Sequence, residues 1–454
     1  MSFRNQVTEK LFFPLSDLVL GSSVSKNLKF LQNSQHWTRS QIDNYQNQRL
    51  RKLIHHSYEN VPFYRELFDD LNLKPEDIQT KEDLNKLPIV TKDDLRRSKD
   101  KHLASNIKKK ELVFASSSGS TGEPFQFYKT KYSDSFDTAA ALRGWAWMGY
   151  KLGDMYAKIS MNPRSSVVKK LQDFVNNSLY LSSTQLTPDE FKKIALSLLK
   201  KDPWFIRCYP TPLLFLSRQY EEISKGVKSS SLKAINTTGS TLSTEVREEV
   251  ERVFRVKIFD SYSCEGGAMF FECPTHAHYH PSEETAIQEY LEDSFTLANP
   301  ERPLRHITTD LNNYASPFIR YDTQDYVVLG SDELCSCGRH YKNIKSIKGR
   351  DSDILITPSG KYLIVENFVA YFEWIEEVDQ IQVVQNKRDE ITIKMIVNNR
   401  FSENVFTKVL EYWKSYIGSD VKVVLEVVEK IELTPTGKRR TVIRNPEIQI
   451  DRGI

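Results

Sequence analysis

Ser116-Ser117-Ser118-Gly119-Ser120-Thr121-Gly122-Glu123-Pro124 lies between two short stretches, 112–114 and 125–128, that read as strands. Small residues let the backbone turn tightly, so that its N–H groups can converge on an anion. The Ser and Thr hydroxyls add donors for phosphate oxygens. No Gly-Lys-Ser/Thr follows, which excludes a Walker A loop. By composition alone the stretch fits a Ser/Gly hairpin loop equally well. The segments on either side have to separate the two readings.

Outward from this loop, short strands alternate with helices. Ser243 is placed to cap a helix with Val246, Val250 and Val253 on one face, and the apolar run 256–259 reads as a strand leading to Asp260. Such alternation predicts α/β layering. The first 60 residues read as helical, with Leu50, Leu53 and Ile54 at helical spacing. Val61-Pro62-Phe63-Tyr64 breaks that pattern, and Pro88 ends another short helical piece. The last hundred residues read as helix 364–376, strand 381–385, a polar turn, strand 391–397, helix 402–416 and strand 421–428. That order predicts a small two-layer α+β domain with an antiparallel sheet. With a boundary near Gly349-Arg350, the chain divides into a large layered α/β domain, 1–349, and a small α+β domain, 350–454.

Composition narrows the function classes. The 454 residues hold 63 Lys+Arg against 60 Asp+Glu, a net charge of +3. So even a balance argues against nucleic-acid binding, which needs a concentrated basic face. No run of 18 apolar residues is present to span a membrane. Glu9 and Asp17 interrupt the apolar N-terminal stretch, unlike a signal peptide, and a cytoplasmic protein is expected. The lysine runs 108–110 and 169–170 read as solvated faces, and Trp145, Trp147 and Trp204 as core.

Five cysteines are too few for a disulfide framework. Cys335-Ser336-Cys337-Gly338 has a knuckle-like spacing that aims two thiolates at one metal, and Cys273 with His276, His278 and His280 lies upstream. A Cys₃His zinc site would close with one of these histidines. Cys264 has no base arranged beside it and reads as a loop residue, not a nucleophile.

Several segments together carry a family resemblance. Ser116–Pro124 resembles the phosphate loop of adenylate-forming enzymes. Thr237-Thr238-Gly239-Ser240-Thr241-Leu242 looks like their adenine-pocket loop, and Asp260-Ser261-Tyr262-Ser263-Cys264-Glu265-Gly266 resembles their Tyr-Gly-x-x-Glu motif. Arg320-Tyr321-Asp322-Thr323-Gln324-Asp325, Gly349-Arg350-Asp351-Ser352-Asp353 and Thr434-Pro435-Thr436-Gly437-Lys438-Arg439 follow in the superfamily's order. Tyr58–Arg65, Lys86-Leu87-Pro88 and Thr91-Lys92-Asp93-Asp94-Leu95 look like the phenylacetate–CoA ligase family. Cys264-Glu265-Gly266-Gly267 and Cys335-Ser336-Cys337-Gly338-Arg339 are nearest its CapK-like, capsular-polysaccharide branch. The resemblance covers roughly residues 40–445.

The resemblance implies ATP, magnesium and an organic acid as substrates and cofactor: the acid becomes an acyl-adenylate, pyrophosphate leaves, and coenzyme A is the default acceptor. It implies that Ser117, Ser118, Gly119, Ser120, Thr121 and Gly122 hold phosphates, Thr121 foremost. Gly239, Ser240, Thr241, Ser261 and Tyr262 would line the adenine, Asp325 and Arg350 would bind ribose, and Glu265 would hold magnesium. Lys438 would join carboxylate and α-phosphate, with 350–454 as a moving lid. For the zinc, the branch's His-x-Ser-Glu-Glu pattern favours His280, beside Cys273, Cys335 and Cys337, with His276 second. Glu265 stands three positions after Tyr262 where the family has four, and Ser263 stands where it has Gly. Two other readings stay open: acyl transfer to an amine or hydroxyl of a sugar or amino acid in surface-polysaccharide synthesis, and a catalytically weak, zinc-stabilised binding subunit.

Overall fold

The structure is a computed structural model that describes residues 3–117, 125–160, 167–182, 188–225, 229–293, 296–297, 301–348, 354–360, 362–364, 368, 371–372, 375, 377–432 and 440–448. The N-terminal sixty residues are helical, as their spacing predicts: α1 (Phe3–Val7), a π-helical turn, α2 (Phe13–Leu20), α3 (Val24–Ser34) and α4 (Arg39–Asn60). The break falls on extended Val61 alone. Pro62 opens α5 (Pro62–Asp70), because proline at the first helical position gives up only a donor that would have no partner there. Helix α6 (Lys92–Ser98) follows after short 3₁₀ turns.

Strands β1 (Leu112–Ser117) and β2 (Phe125–Thr130) form an antiparallel ribbon, and α7 (Lys131–Trp147) is capped by Thr130. The chain then runs β3 (Tyr156–Ser160), α8 (Val167–Val175), β4 (Ser178–Ser182), α9 (Pro188–Lys201), β5 (Phe205–Cys208), α10 (Pro210–Ser224), β6 (Ala234–Thr238), α11 (Thr244–Phe254) and β7 (Lys257–Ser263). Each helix here is a crossover between parallel strands. The Ser243 hydroxyl accepts from Val246 N, so the expected cap is present. Asp260 sits inside β7, not beyond it. Alternation sorts the strand residues: Ala157, Ile206, Ile235 and Ile258 bury against α9–α11, while Tyr156, Phe205 and Ala234 bury against α3 and α7.

Among the described residues this parallel half continues into β8 (Met269–Glu272), β9 (Tyr279–Pro281), β10 (Ala286–Leu291), β11 (Leu304–Asp310), β12 (Tyr321–Leu329) and β13 (Ile344–Lys348), eleven strands in the order β10-β11-β12-β13-β9-β8-β7-β6-β5-β3-β4. The added strands are antiparallel and curl, so that Phe270, Val327 and Ile344 share a small core with Tyr262.

The last segment has its own core, drawn from residues 355–442 and centred on Trp413. It holds the pair β14 (Ile354–Ile356) and β15 (Tyr362–Ile364), helix α12 (Glu403–Ile417), and a four-stranded sheet of β16 (Val378–Lys387), β17 (Glu390–Val397), β18 (Lys422–Val427) and β19 (Val442–Arg444) among the described residues. The antiparallel expectation holds only for β16 with β17. Strand β18 runs parallel to β17 and β19 parallel to β16, so the sheet is mixed. The reason lies in the connection: a strand, a covering helix and a returning strand form a crossover. Of the expected helix 364–376, Ile364 closes β15, while Phe368, Tyr371 and Phe372 are helical.

Candidate active site

The turn after β7 brings together residues from distant parts of the chain. Cys264 N donates to Ala268 O, closing the turn that carries Glu265. A side chain on Gly266 would collide with Thr308 and Tyr321, and Gly267 has a φ of +79° with Asp310 behind it, so the turn needs both glycines. Glu265 is buried, and its Oε1 lies 2.7 Å from Lys92 Nζ and accepts from Tyr321 Oη at 2.9 Å. Lys92 reaches it because Val90 pairs with β12: Val90 N donates to Arg320 O, and Asp322 N donates to Val90 O. Thr91 then starts α6, with its N and Oγ1 both donating to Asp94 Oδ2. Sequence reasoning used Thr91-Lys92-Asp93-Asp94-Leu95 as a family marker and missed the role of its lysine.

Asp325 lies in β12 just after Gln324, whose φ of +60° marks an irregularity that re-aims the strand. It is buried, and Tyr262 Oη donates to its Oδ2 at 2.6 Å. Tyr262 also tilts against Phe270 at 5.1 Å. Ser261 is occupied within the sheet, donating to Thr237 O at 2.9 Å and accepting from Asn236 Nδ2. Asp260, one residue before, accepts from Thr237 Oγ1 at 2.5 Å and Tyr279 Oη at 2.9 Å. Burial pushes its carboxyl up to about 7. Gly239 has a φ of +82°, and a side chain there would strike Tyr209, so the ring of Tyr209 closes against bare backbone. Ser240 and Thr241 beside it are exposed. Burial raises the Cys264 thiol to about 12, as suits a residue that is no nucleophile.

The hydroxyl-rich stretch joins the open ends of the β1–β2 ribbon, where Ser117 is opposite Phe125. Ser118, Gly119, Ser120, Thr121 and Gly122 lie outside the described residues, as do Arg350 and Lys438, and nothing is described of the Ser117 side chain. The ribbon itself is anchored to the loop that leads into β12. Tyr128 N donates to Ser316 Oγ at 3.2 Å, Asn313 Nδ2 donates to Tyr128 O at 3.1 Å, and Phe127 meets Phe318 edge-on.

The cysteine corner forms at the other side of β8. Cys273, His280, Cys335 and Cys337 bring their ligand atoms within 4.8 Å of one another. Cys273 Sγ lies 3.6 Å from Cys335 Sγ, and Cys337 Sγ lies 3.3 Å from His280 Nε2. Thiolates around a tetrahedral zinc stand about 3.8 Å apart, so the donor set fits that ion. Two tight turns aim the thiols: Gly338 N donates to Cys335 O with φ at +76°, and His276 N donates to Cys273 O. Lys342 O, 3.3 Å from His280 Nδ1, turns Nε2 toward the thiols, and burial drops this imidazole to about 4, the neutral form a metal needs. His276, the second choice, instead meets Glu272 at 3.1 Å and lies against Phe259. Behind His280, fully buried Arg143 and Glu284 pair at 3.0 Å, with further hydrogen bonds to Tyr341, Ser282 and Ser34. The His-x-Ser-Glu-Glu pattern contains Ser282 and Glu284, but nothing in the sequence pointed to Arg143 as their partner.

Comparison with known proteins follows the same lines. The family of the CapK C-terminal domain matches residues 355–445. The chain is 26% identical to Protein CapK of Staphylococcus aureus over 414 residues, 88% of each chain. It is 26% identical to phenylacetate-coenzyme A ligase of Escherichia coli strain K12 over 368 residues, 77% of this chain and 81% of the relative. Among solved structures, 2-hydroxyisobutyryl-CoA ligase in the postadenylation state shares the fold, with a TM-score of 0.69 over 91% of each chain at 18% identity. The motif order and these alignments agree: the chain is a homologue of CapK and the phenylacetate–CoA ligases and shares the fold of 2-hydroxyisobutyryl-CoA ligase.

Proposed function

We propose that the protein is an AMP-forming acid ligase. It joins a carboxylic acid to AMP from ATP, releases pyrophosphate, and passes the acyl group to coenzyme A. The observation that carries this reading is the pairing of Tyr262 with Asp325 and of Lys92 with Glu265, at one end of the sheet, with the hydroxyl-rich ribbon rooted on the loop entering β12.

A carboxylate and a triphosphate repel each other, so adenylation needs donors and cations fixed where they meet. Residues 117–122 would hold the terminal phosphates, and Asp325 would accept from ribose hydroxyls with Tyr262 holding its orientation. Glu265 would hold magnesium, which when bound neutralises phosphate charge. Lys92 already balances Glu265, so the phosphates meet a carboxylate whose charge is compensated. Lys438 would bridge the carboxylate and the α-phosphate, brought in by residues 350–454 acting as a lid that excludes water from the acyl-adenylate. We further propose that Cys273, His280, Cys335 and Cys337 hold a structural zinc; four protein ligands leave no position open for catalysis.

Pyrophosphate release with ATP, magnesium and a panel of carboxylic acids tests the reading. An acid-dependent signal is expected, reduced about a thousandfold or more by Lys438→Ala, with CoA-dependent thioester formed from the same acid. Pyrophosphate release by that variant at the wild-type rate would remove Lys438 from the mechanism. AMP formed with no response to CoA would point to an amine or hydroxyl acceptor.

A further inference from the structure

On the face of the sheet that packs under α7, Tyr156, Phe205 and Ala234 form a continuous apolar floor. Two residues further toward the carboxyl ends of the same strands, the floor becomes polar: Lys158, Arg207 and Asn236 stand side by side in register on β3, β5 and β6. The carboxyl ends of parallel strands are where open α/β sheets bind ligands.

Arg207 differs from the enclosed arginines Arg143 and Arg305, which meet Glu284 at 3.0 Å and Asp322 at 2.7 Å. Half-buried Arg339, which also lies over a tryptophan, donates to Gln35 Oε1 at 3.3 Å. Among the described residues Arg207 meets no carboxylate; the phenols Tyr156 and Tyr209 and the neighbouring Lys158 are the titratable groups beside it. Its Nε, like those of Arg143 and Arg305, is buried without a hydrogen-bond partner among the described residues, and its guanidinium carbon sits 5.4 Å over the ring of Trp145. Beside it, Asn236 Oδ1 is also buried and has no partner among the described residues, while its Nδ2 is committed to Phe259 O at 2.9 Å. Enclosing a guanidinium without an anion is costly, and a cation–π contact offsets only part of that cost. Among the described residues, a cation without an anion and an acceptor without a donor therefore lie next to each other on the floor of the sheet's ligand-binding end.

We propose that Arg207 is the counter-ion for a second anionic group on the acid that this protein activates. The substrate class is then a dianionic acid, a dicarboxylate or a phosphorylated acid, in which a hydroxyl or N–H can also reach Asn236 Oδ1. This rests on the acid-ligase reading given above, and binding and turnover separate the two.

The test is calorimetric binding, without ATP, of succinate, glutarate and phthalate, each beside its monoamide, and of 3-phosphoglycerate beside glycerate. At least one dianion should bind about tenfold or more tightly than its singly charged partner, the strength of a charge-assisted hydrogen bond. Arg207→Met should abolish that preference. It should also leave the melting temperature unchanged or raised, since an unpaired enclosed charge is removed; an arginine kept for packing or structure would lower it. Which pair shows the preference tells a carboxylate from a phosphate. No preference in any pair, no binding by any member, or a preference that survives Arg207→Met overturns the proposal. A dianion that binds through Arg207 but supports no pyrophosphate release sinks the ligase reading and leaves Arg207 standing. Pyrophosphate release with singly charged acids alone does the reverse.

Discussion

Two polar clusters share the strands that follow β7, and they are built on opposite principles. At the cysteine corner three thiols and an imidazole converge, four metal donors facing one another. Their second layer, Arg143 with Glu284 and Tyr341, is buried and paired within the chain. At the proposed adenylation end the carboxylates already have partners within the chain, Glu265 the Lys92 ammonium and Asp325 the Tyr262 hydroxyl. A cluster that calls for an outside cation is suited to hold one permanently and to stay fixed. A cluster whose members can exchange an internal partner for a ligand is suited to turnover. The two are bound together through Glu272, which precedes Cys273 and whose Oε2 accepts from Asp260 N at 2.7 Å and from Arg247.

The largest effect should come from breaking the permanent cluster. Protein purified without chelators is expected to hold one zinc per chain by metal analysis. Removing the metal, or Cys337→Ser, should cost about 5 kcal/mol of stability, a fraction of the ~10–16 kcal/mol that structural zinc gives small zinc domains. Well under one zinc per chain, or a chelator-insensitive melting curve, would reduce the corner to packed cysteines and remove one side of the contrast.

The exchangeable cluster should respond less, and its response should depend on ligand. Lys92→Met leaves the buried Glu265 carboxylate with the Tyr321 hydroxyl but without its ammonium, and should cost about 3 kcal/mol. Magnesium with ATP should restore part of that loss, raising the melting temperature of the variant more than that of the wild type. Equal increments in the two proteins would mean that Lys92 and the metal do not share Glu265.

What the sequence revealed follows from how local each feature is. The cysteine donors of the corner were legible because cysteine is scarce and the Cys335-x-Cys337-Gly338 spacing is itself a turn, while His280 was singled out from His276 and His278 by the family resemblance alone. The ribbon around the hydroxyl-rich loop and the Ser243 cap were legible because period and cap lie within a few residues. Lys92 was not, since its partner is set by Val90 docking on β12, a contact between segments far apart in the chain. Arg207 was hidden in a four-residue strand, Phe205–Cys208, whose alternation gives its face but not the absence of a carboxylate. The mixed pairing of β16–β19 was half legible: the helix between β17 and β18 requires a crossover, but nothing local fixes β19 beside β16.

The smallest effect concerns Asp260, the residue that ties the two clusters together. Its carboxyl, buried between Thr237 and Tyr279, is raised from the usual carboxylate range to about 7, chiefly by burial. The native state therefore binds a proton that the unfolded chain has released. The resulting stability is fully present below pH 4 and is lost as pH rises through about 7. Between pH 6 and pH 8 this site should remove about 1 kcal/mol. Asp260→Asn keeps the shape without the ionisation, so its stability should change less over that interval than the wild type's, and the two curves should diverge as the pH rises. Parallel curves would place an ionised Asp260 in the native state at pH 6, with Arg247 close enough to balance both it and Glu272. The link between the clusters would then be an ion-pair network open to solvent rather than a protonated hydrogen-bond bridge.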